Sequence, residues 1–320
     1  MTAKTFAASS SMTDSSALRQ VLSTQVVGRQ REVELVLAAL AADRHVLLEG
    51  PPGTGKSTLL RAVAQGLGIG FEFVEGNAEL TPARLVGHFD PARVLNEGYD
   101  PAVFVDGPLV TAMREGALLY VEEINRIPEE TLNVLITVMS EGEIHVPRLG
   151  HVAASQGFRL VAAMNPFDAV GTARISGAVY DRVCRVAMSY QSAEDEQAIV
   201  VRHIEGSSLN SQWISRAVEL VRRTRVHPDL RVGSSVRGAV DFAKVAVSLA
   251  DIRDLTVDDV TVGLDAAMVA LSGRVRMREG SSRTAEDVIE EMWRDIFGRV
   301  DGDGSEGKVG APMSRGTNSQ

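Results

Sequence analysis

The chain has 320 residues, a formal net charge of −9 and a hydrophobic fraction of 44%. That length supports a large core and more than one domain, no run approaches the ~18 apolar residues of a membrane-spanning helix, and the acidic balance argues against a nucleic-acid surface, which needs clustered Lys and Arg. A single cysteine, Cys184, rules out a disulfide framework and a cysteine zinc site, and the histidines (His45, His88, His145, His151, His203, His227) show no metal-ligand spacing on a helix.

Residues 1–16 are rich in Ser, Thr and Ala and read as a loose tail without the charged and then apolar segments of a secretory signal. A cytoplasmic location is expected, in keeping with the lone cysteine. A short helix is predicted over Ser15–Ser23, and a stronger one over Gln30–Ala42 with Val33, Leu35, Val36 and Leu40 on its buried side. Between them lies the turn Val26-Val27-Gly28, which has two readings: packing against an adenine ring, or a hydrophobic staple before a helix.

His45-Val46-Leu47-Leu48-Glu49 reads as a buried strand. It leads into Gly50-Pro51-Pro52-Gly53-Thr54-Gly55-Lys56-Ser57, which matches G-x-x-x-x-G-K-[ST] at every fixed position, and then into a helix that begins with Ser57 and Thr58. A loop between a strand end and a helix start presents unpaired backbone N–H groups and the positive end of the helix dipole. The glycines let that backbone wrap phosphate oxygens closely, and the prolines stiffen the loop entrance. Lys56 is expected to reach the β- and γ-phosphates of ATP, and the Ser57 hydroxyl to ligate Mg²⁺.

A second strand, Phe71–Val74, is followed by the long segment Glu75–Gly116, which reads as an insertion on a nucleotide-binding core. It contains Leu80–Val86, a Gly/Asn/Pro-broken loop, Phe104–Pro108 and a helix over Leu109–Glu115. Ala117–Val121 is an apolar strand ending in Glu122-Glu123. Acids at such a strand end, beside a phosphate loop, hold a metal's water shell and orient an attacking water; the plain alternative is two solvated surface acids. Ile124–Pro128 starts a helix that runs to about Ser140, and a hairpin follows from Glu141. Phe158–Met164 is another buried strand, ending at Asn165-Pro166, where an Asn can sense a γ-phosphate or simply make a turn. Gly171–Asp181 is a polar loop with a short helix, and Asp181–Val186 leads into a last strand.

Alternating strands and helices predict an α/β fold, a P-loop core with a parallel sheet and helices on both faces, over 17–190. From about Ser192 only helices are predicted: Ala193–His203, Gln212–Arg223, Ser235–Ala250, Val257–Leu271 and Ala285–Phe297. The last has Thr284 as N-cap and one apolar stripe of Val288, Ile289, Met292, Trp293 and Ile296. These helices make a C-terminal all-helical lid domain over 191–298, and 299–320 is expected to be disordered.

Taken together these motifs resemble the AAA+ ATPases, and within them the MoxR family, over roughly Leu18–Met277. The resemblance rests on the Val-Val-Gly turn, the phosphate loop, Phe104–Pro108, Glu123-Ile124-Asn125-Arg126, Met164-Asn165-Pro166, Tyr180-Asp181-Arg182-Val183 and Ser234-Ser235-Val236-Arg237. It implies that Glu123 is the Walker B catalytic glutamate, Asn165 sensor 1, Arg182 the arginine finger and Arg237 the sensor 2 arginine of the lid. Arg126 is a weaker candidate for a role at a subunit boundary. It also implies that Glu75–Gly116 is the family's helix-2 insert and Glu141–His151 its pre-sensor hairpin. The family pattern has Asp where this chain has Glu122, which bears on metal geometry and hydrolysis rate more than on nucleotide binding. Members are typically hexameric and chaperone-like, and often work with a von Willebrand factor A domain protein to mature a target such as a metalloenzyme. Two other readings stand beside this one: a magnesium-chelatase-like motor subunit, and a low-turnover ATP-dependent switch or scaffold. A GTPase is disfavoured, since no Asn-Lys-x-Asp motif is present.

Overall fold

The computed structural model describes residues 18, 21–22, 25–166, 177–207 and 209–298. The N-terminal tail, most of the Ser15–Ser23 helix, 171–176 and the 299–320 tail lie outside the described residues. Two compact units are present, one within Met1–Ser208 and Ser235–Asp241, the other within Leu209–Ser234 and Phe242–Gln320.

The first unit is built on five parallel strands: β1 (His45–Glu49), β2 (Phe71–Glu75), β5 (Leu118–Glu122), β8 (Arg159–Met164) and β9 (Val183–Ala187), in the order β2-β5-β8-β1-β9. The near-continuous apolar runs of the three central strands, β1, β5 and β8, suit strands covered on both faces, while the edge strands β2 and β9 are broken by charged residues. Side chains alternate strictly between two cores. Leu47, Leu119, Val121, Leu160 and Ala162 face one way, against α5 (Pro108–Glu115) and α6 (Glu129–Glu141). Val46, Leu48, Leu118, Tyr120 and Val161 face the other, against α1 (Gln30–Ala41) and α2 (Lys56–Leu67). The α/β expectation, with helices on both faces of a parallel sheet, is borne out.

The insertion is more ordered than its composition suggests. The segment read as a broken loop holds α4 (Pro91–Glu97), whose N-cap Asp90 accepts from Ala92 and Arg93 N–H. α4 lies between β3 (Gly87–Phe89) and β4 (Phe104–Asp106), which pair antiparallel, and α3 (Pro82–Val86) precedes them. The expected hairpin is present as β6 (Glu143–Val146) and β7 (Gly150–Ala153); at its tip Arg148 stacks 3.6 Å over the Tyr99 ring of the insertion. α7 (Gly177–Tyr180) precedes β9, and α8 (Ala193–His203) follows it within the same unit.

The second unit holds α9 (Ser211–Thr224), the 242–253 part of α10 (Val236–Arg253), α11 (Val260–Leu271) and α12 (Ala285–Phe297). An aromatic core of Trp213, Phe242, Trp293 and Phe297 joins α9, α10 and α12, with Trp293 stacked on Phe297 at 5.4 Å and lying against Gly263 of α11. α12 starts at Thr284 and buries the predicted stripe. The expectation of helices alone is corrected by a short antiparallel pair, β10 (Leu230–Val232) and β11 (Arg276–Met277). Among the described residues no helix is long and apolar enough to cross a membrane.

Candidate active site

The carboxyl ends of β1, β5 and β8 lie side by side, because parallel pairing aligns them: Glu49 sits opposite Met164, and Val121 opposite Ala162. The loop after β1, Gly50–Gly55, turns sharply into α2. Gly53 and Gly55 take φ of +72° and +84°, a left-handed conformation that side chains resist. At Gly53 a side chain would also strike Ser235, 2.2 Å from where a Cβ would stand. Thr54 is buried and closes the loop through a bond from Oγ1 to the Pro51 carbonyl at 3.0 Å. Pro51 and Pro52 lie at the loop entrance, and Thr58 is exposed in the first turn of α2.

Lys56 opens α2 and is buried; its Nζ donates to the Gly50 and Pro51 carbonyls, each at 2.8 Å. Burial pulls its pKa down to about 8, Arg237 and Arg29 push the same way, and Glu122 and Glu123 partly offset them. Arg237 on the first turn of α10 is thus close enough to Lys56 to be felt as a charge. Ser57 follows, with Oγ donating to Glu122 Oε1 at 3.0 Å and standing 3.3 Å from the Tyr120 hydroxyl.

Glu123 leaves β5 in the left-handed region, φ +53° and ψ +45°, rare for a residue with a side chain. Its carboxylate pairs with Arg126 at 2.8 Å across a 3₁₀ turn over Ile124–Arg126. The turn is pinned from the residue after β2, Gly76, whose N–H donates to the Glu122 carbonyl at 2.7 Å. A Cβ on Gly76 would meet the Glu123 carbonyl at 2.4 Å, so only glycine permits this approach.

This geometry has counterparts in known proteins. Residues 45–183 match the family model described as the AAA domain (dynein-related subfamily). The gas vesicle ATPase GvpN2 of Halobacterium salinarum is 29% identical over 273 residues, 80% of this chain and 76% of that protein. YeaC of Bacillus subtilis is 28% identical over 263 residues, 73% and 78% of the two chains. SH1500 of Staphylococcus haemolyticus is 33% identical over 205 residues, 63% of this chain and 77% of that one. The chain belongs to the AAA+ ATPases. Two solved structures agree in fold. A candidate ATPase from Cytophaga hutchinsonii gives a TM-score of 0.51 at 19% identity, covering 89% of this chain and 94% of that one. The Thermotoga maritima branch migration motor RuvB gives 0.51 at 19%, covering 78% and 73%.

In this ATPase the phosphate loop, Glu122, Glu123 and Arg237 gather at one end of the sheet. Asn165 directly follows β8, whose last carbonyl, on Met164, accepts from Gly50 N–H at 3.1 Å. Arg182 belongs to a different neighbourhood: it donates to the Ala178 carbonyl at 2.8 Å and to the Ser140 hydroxyl, with Asp181 at 4.0 Å. Val26 is in the core with Leu22 and Val33, and the Val27 carbonyl accepts from Gln191 at 3.2 Å. Gly28 lies against Asp195 of α8.

Sequence reasoning missed Arg29, the N-cap residue of α1. Its guanidinium is buried and donates to the carbonyls of Thr54 (2.9 Å) and Ser189 (2.6 Å) and to Glu32 (2.8 Å). It therefore ties the Val-Val-Gly turn to the phosphate loop, with its Nε left without a partner. Gly76 and Tyr120 were missed as well. The Gly-Arg pair after two valines was the one local signal for Arg29; the Tyr120 hydroxyl looked like part of an apolar strand.

Proposed function

We propose that this ATPase is a MoxR-type remodelling or maturation factor that works as a homo-oligomeric ring, a hexamer, on a partner protein or metalloenzyme. The observation that carries the chemistry is the convergence of Lys56, Ser57, Glu122 and Glu123 at the ends of β1 and β5. Lys56 and the loop N–H groups hold the phosphates. A hydroxyl and a carboxylate oxygen 3.0 Å apart, on Ser57 and Glu122, form a donor set suited to a hard divalent cation such as Mg²⁺. That ion, when bound, neutralises charge on the β- and γ-phosphates. Glu123 orients and deprotonates the attacking water, Asn165 senses the γ-phosphate, Arg237 acts within its own chain, and Arg182 reaches a neighbouring subunit's nucleotide. In this reading 17–190 is the ATPase core and 191–298 the lid. Val26, Val27 and Gly28 border the adenine, and Thr58 the phosphates.

A protein client is supported by the MoxR resemblance and by relatives whose names tie them to the gas vesicle. A von Willebrand factor A domain protein is the expected helper, and the cytoplasm the expected site of action. A Glu123→Gln chain should keep ATP affinity and lose about 10²–10⁴ of turnover, the range of a general base. Undiminished hydrolysis would remove Glu123 from the mechanism, and the same variant, held with ATP bound, is the bait for capturing the client. A low-turnover switch is the second reading, favoured by the Glu123–Arg126 ion pair, which occupies the carboxylate that must meet water. Faster hydrolysis by Glu122→Asp would mark residue 122 as one source of slow turnover.

A further inference from the structure

Tyr120 sits two residues before Glu122 on β5, so strand alternation sends both side chains to the same side, toward the start of α2. Its ring is fully buried between Phe71 and Phe73, with centroids at 5.9 and 5.7 Å, and Arg61 lies over both phenylalanines. A phenylalanine would fill that space equally well. A buried phenol is tolerated only where its hydroxyl has a partner, and here it faces Ser57 Oγ at 3.3 Å and the Glu122 carboxylate.

Counting protons limits what the contact can do. A serine hydroxyl has one proton and two lone pairs. The proton goes to Glu122 Oε1 at 3.0 Å. The phenol has one proton of its own, with Ser57 and the Glu122 carboxylate both in reach; given to Ser57, it fills one lone pair and leaves the second. With its proton and one lone pair held from two directions, the Ser57 hydroxyl cannot rotate freely. Glu122, one methylene longer than the family's Asp, is the acceptor on one side; the phenol supplies the other.

We propose that Tyr120 is a positioning residue of the cation side of the site, orienting the Ser57 hydroxyl so that its remaining lone pair is kept for a divalent metal ion. This rests on the reading of Ser57 and Glu122 as the cation side.

The test is calorimetric binding of the non-hydrolysable ATP analogue AMP-PNP to the full chain, in EDTA and in magnesium chloride. The quantity of interest is the ratio of the two affinities. In Tyr120→Phe, which keeps ring and volume, affinity in EDTA should stay within about twofold while the magnesium ratio falls about 3- to 10-fold, the range of one hydrogen bond. Ser57→Ala should lower the ratio further, and adding Tyr120→Phe to it should change nothing more, since residues acting through one group are not additive. An unchanged ratio in Tyr120→Phe beside a lowered one in Ser57→Ala overturns the proposal alone. So does an equal loss in EDTA and magnesium, or the same loss in the Ser57→Ala background, because each marks a packing role. An unchanged ratio in Ser57→Ala overturns the cation-side reading and the proposal with it.

Discussion

At the residue scale, Lys56 is a charged group held where charge is disfavoured. Burial, the largest influence, sets its pKa at about 8 rather than the 10.5 of an ordinary lysine. Between those values the unfolded chain binds this proton and the folded one does not, so the Lys56 contribution to stability rises with pH across that window. Phosphate oxygens favour the ammonium and lift the pKa again. ATP binding near pH 8 should therefore take up roughly half a proton through Lys56, and none through it near pH 6. Binding enthalpies measured in buffers of different ionisation enthalpy check this, and Lys56→Ala should abolish binding and uptake together. Equal proton uptake at both pH values would mean that Lys56 stays charged throughout.

At the element scale, α12 shows how local chemistry fixes a helix. The Thr284 hydroxyl accepts from Asp287 N–H at 3.1 Å, and the Asp287 carboxylate accepts from Thr284 N–H at 2.9 Å. The stripe behind this capping box packs Trp293 against Gly263 of α11. Thr284→Ala should cost about 1 kcal/mol in denaturant unfolding, and Thr284→Ser should restore most of it. α12 was readable because cap, stripe and absence of Pro or Gly all lie within one stretch. α4 carried signals of the same kind, Asp90-Pro91 at its start and Gly98 at its end, but its few residues bury nothing, so no apolar period marked it. β10 and β11 were illegible for a different reason: strands of three and two residues have no period, and their partners lie far apart in the chain. The site divides the same way. The phosphate loop and the paired acids are contiguous motifs. Arg29 meets carbonyls 25 and 160 residues away, and Tyr120 meets a serine 63 residues away; nothing near either residue announces those partners.

At the scale of the whole molecule, Arg182 tests whether the proposed catalysis is shared between copies. A planar, permanently charged guanidinium suits the spread charge of a transferring phosphoryl group, and such fingers contribute roughly 10³–10⁵ in rate. Arg182→Ala chains should bind ATP and barely hydrolyse it. Mixed with Lys56→Ala chains, which bind none, they should recover part of the activity by borrowing an intact arginine; no recovery in assemblies shown to exchange subunits would assign Arg182 to its own chain. The proposed catalytic glutamate has a consequence for the molecule as a whole too. Glu123 stands at φ +53°, a conformation that works against folding by an amount of order 1–3 kcal/mol for a side-chain-bearing residue. Asparagine tolerates that conformation better than glutamate, so one route to a sturdier protein passes through the loss of its acid. On the proposed role, a laboratory selection that rewarded heat resistance alone would favour variants without the acid at this position, and demand for turnover would keep a glutamate there.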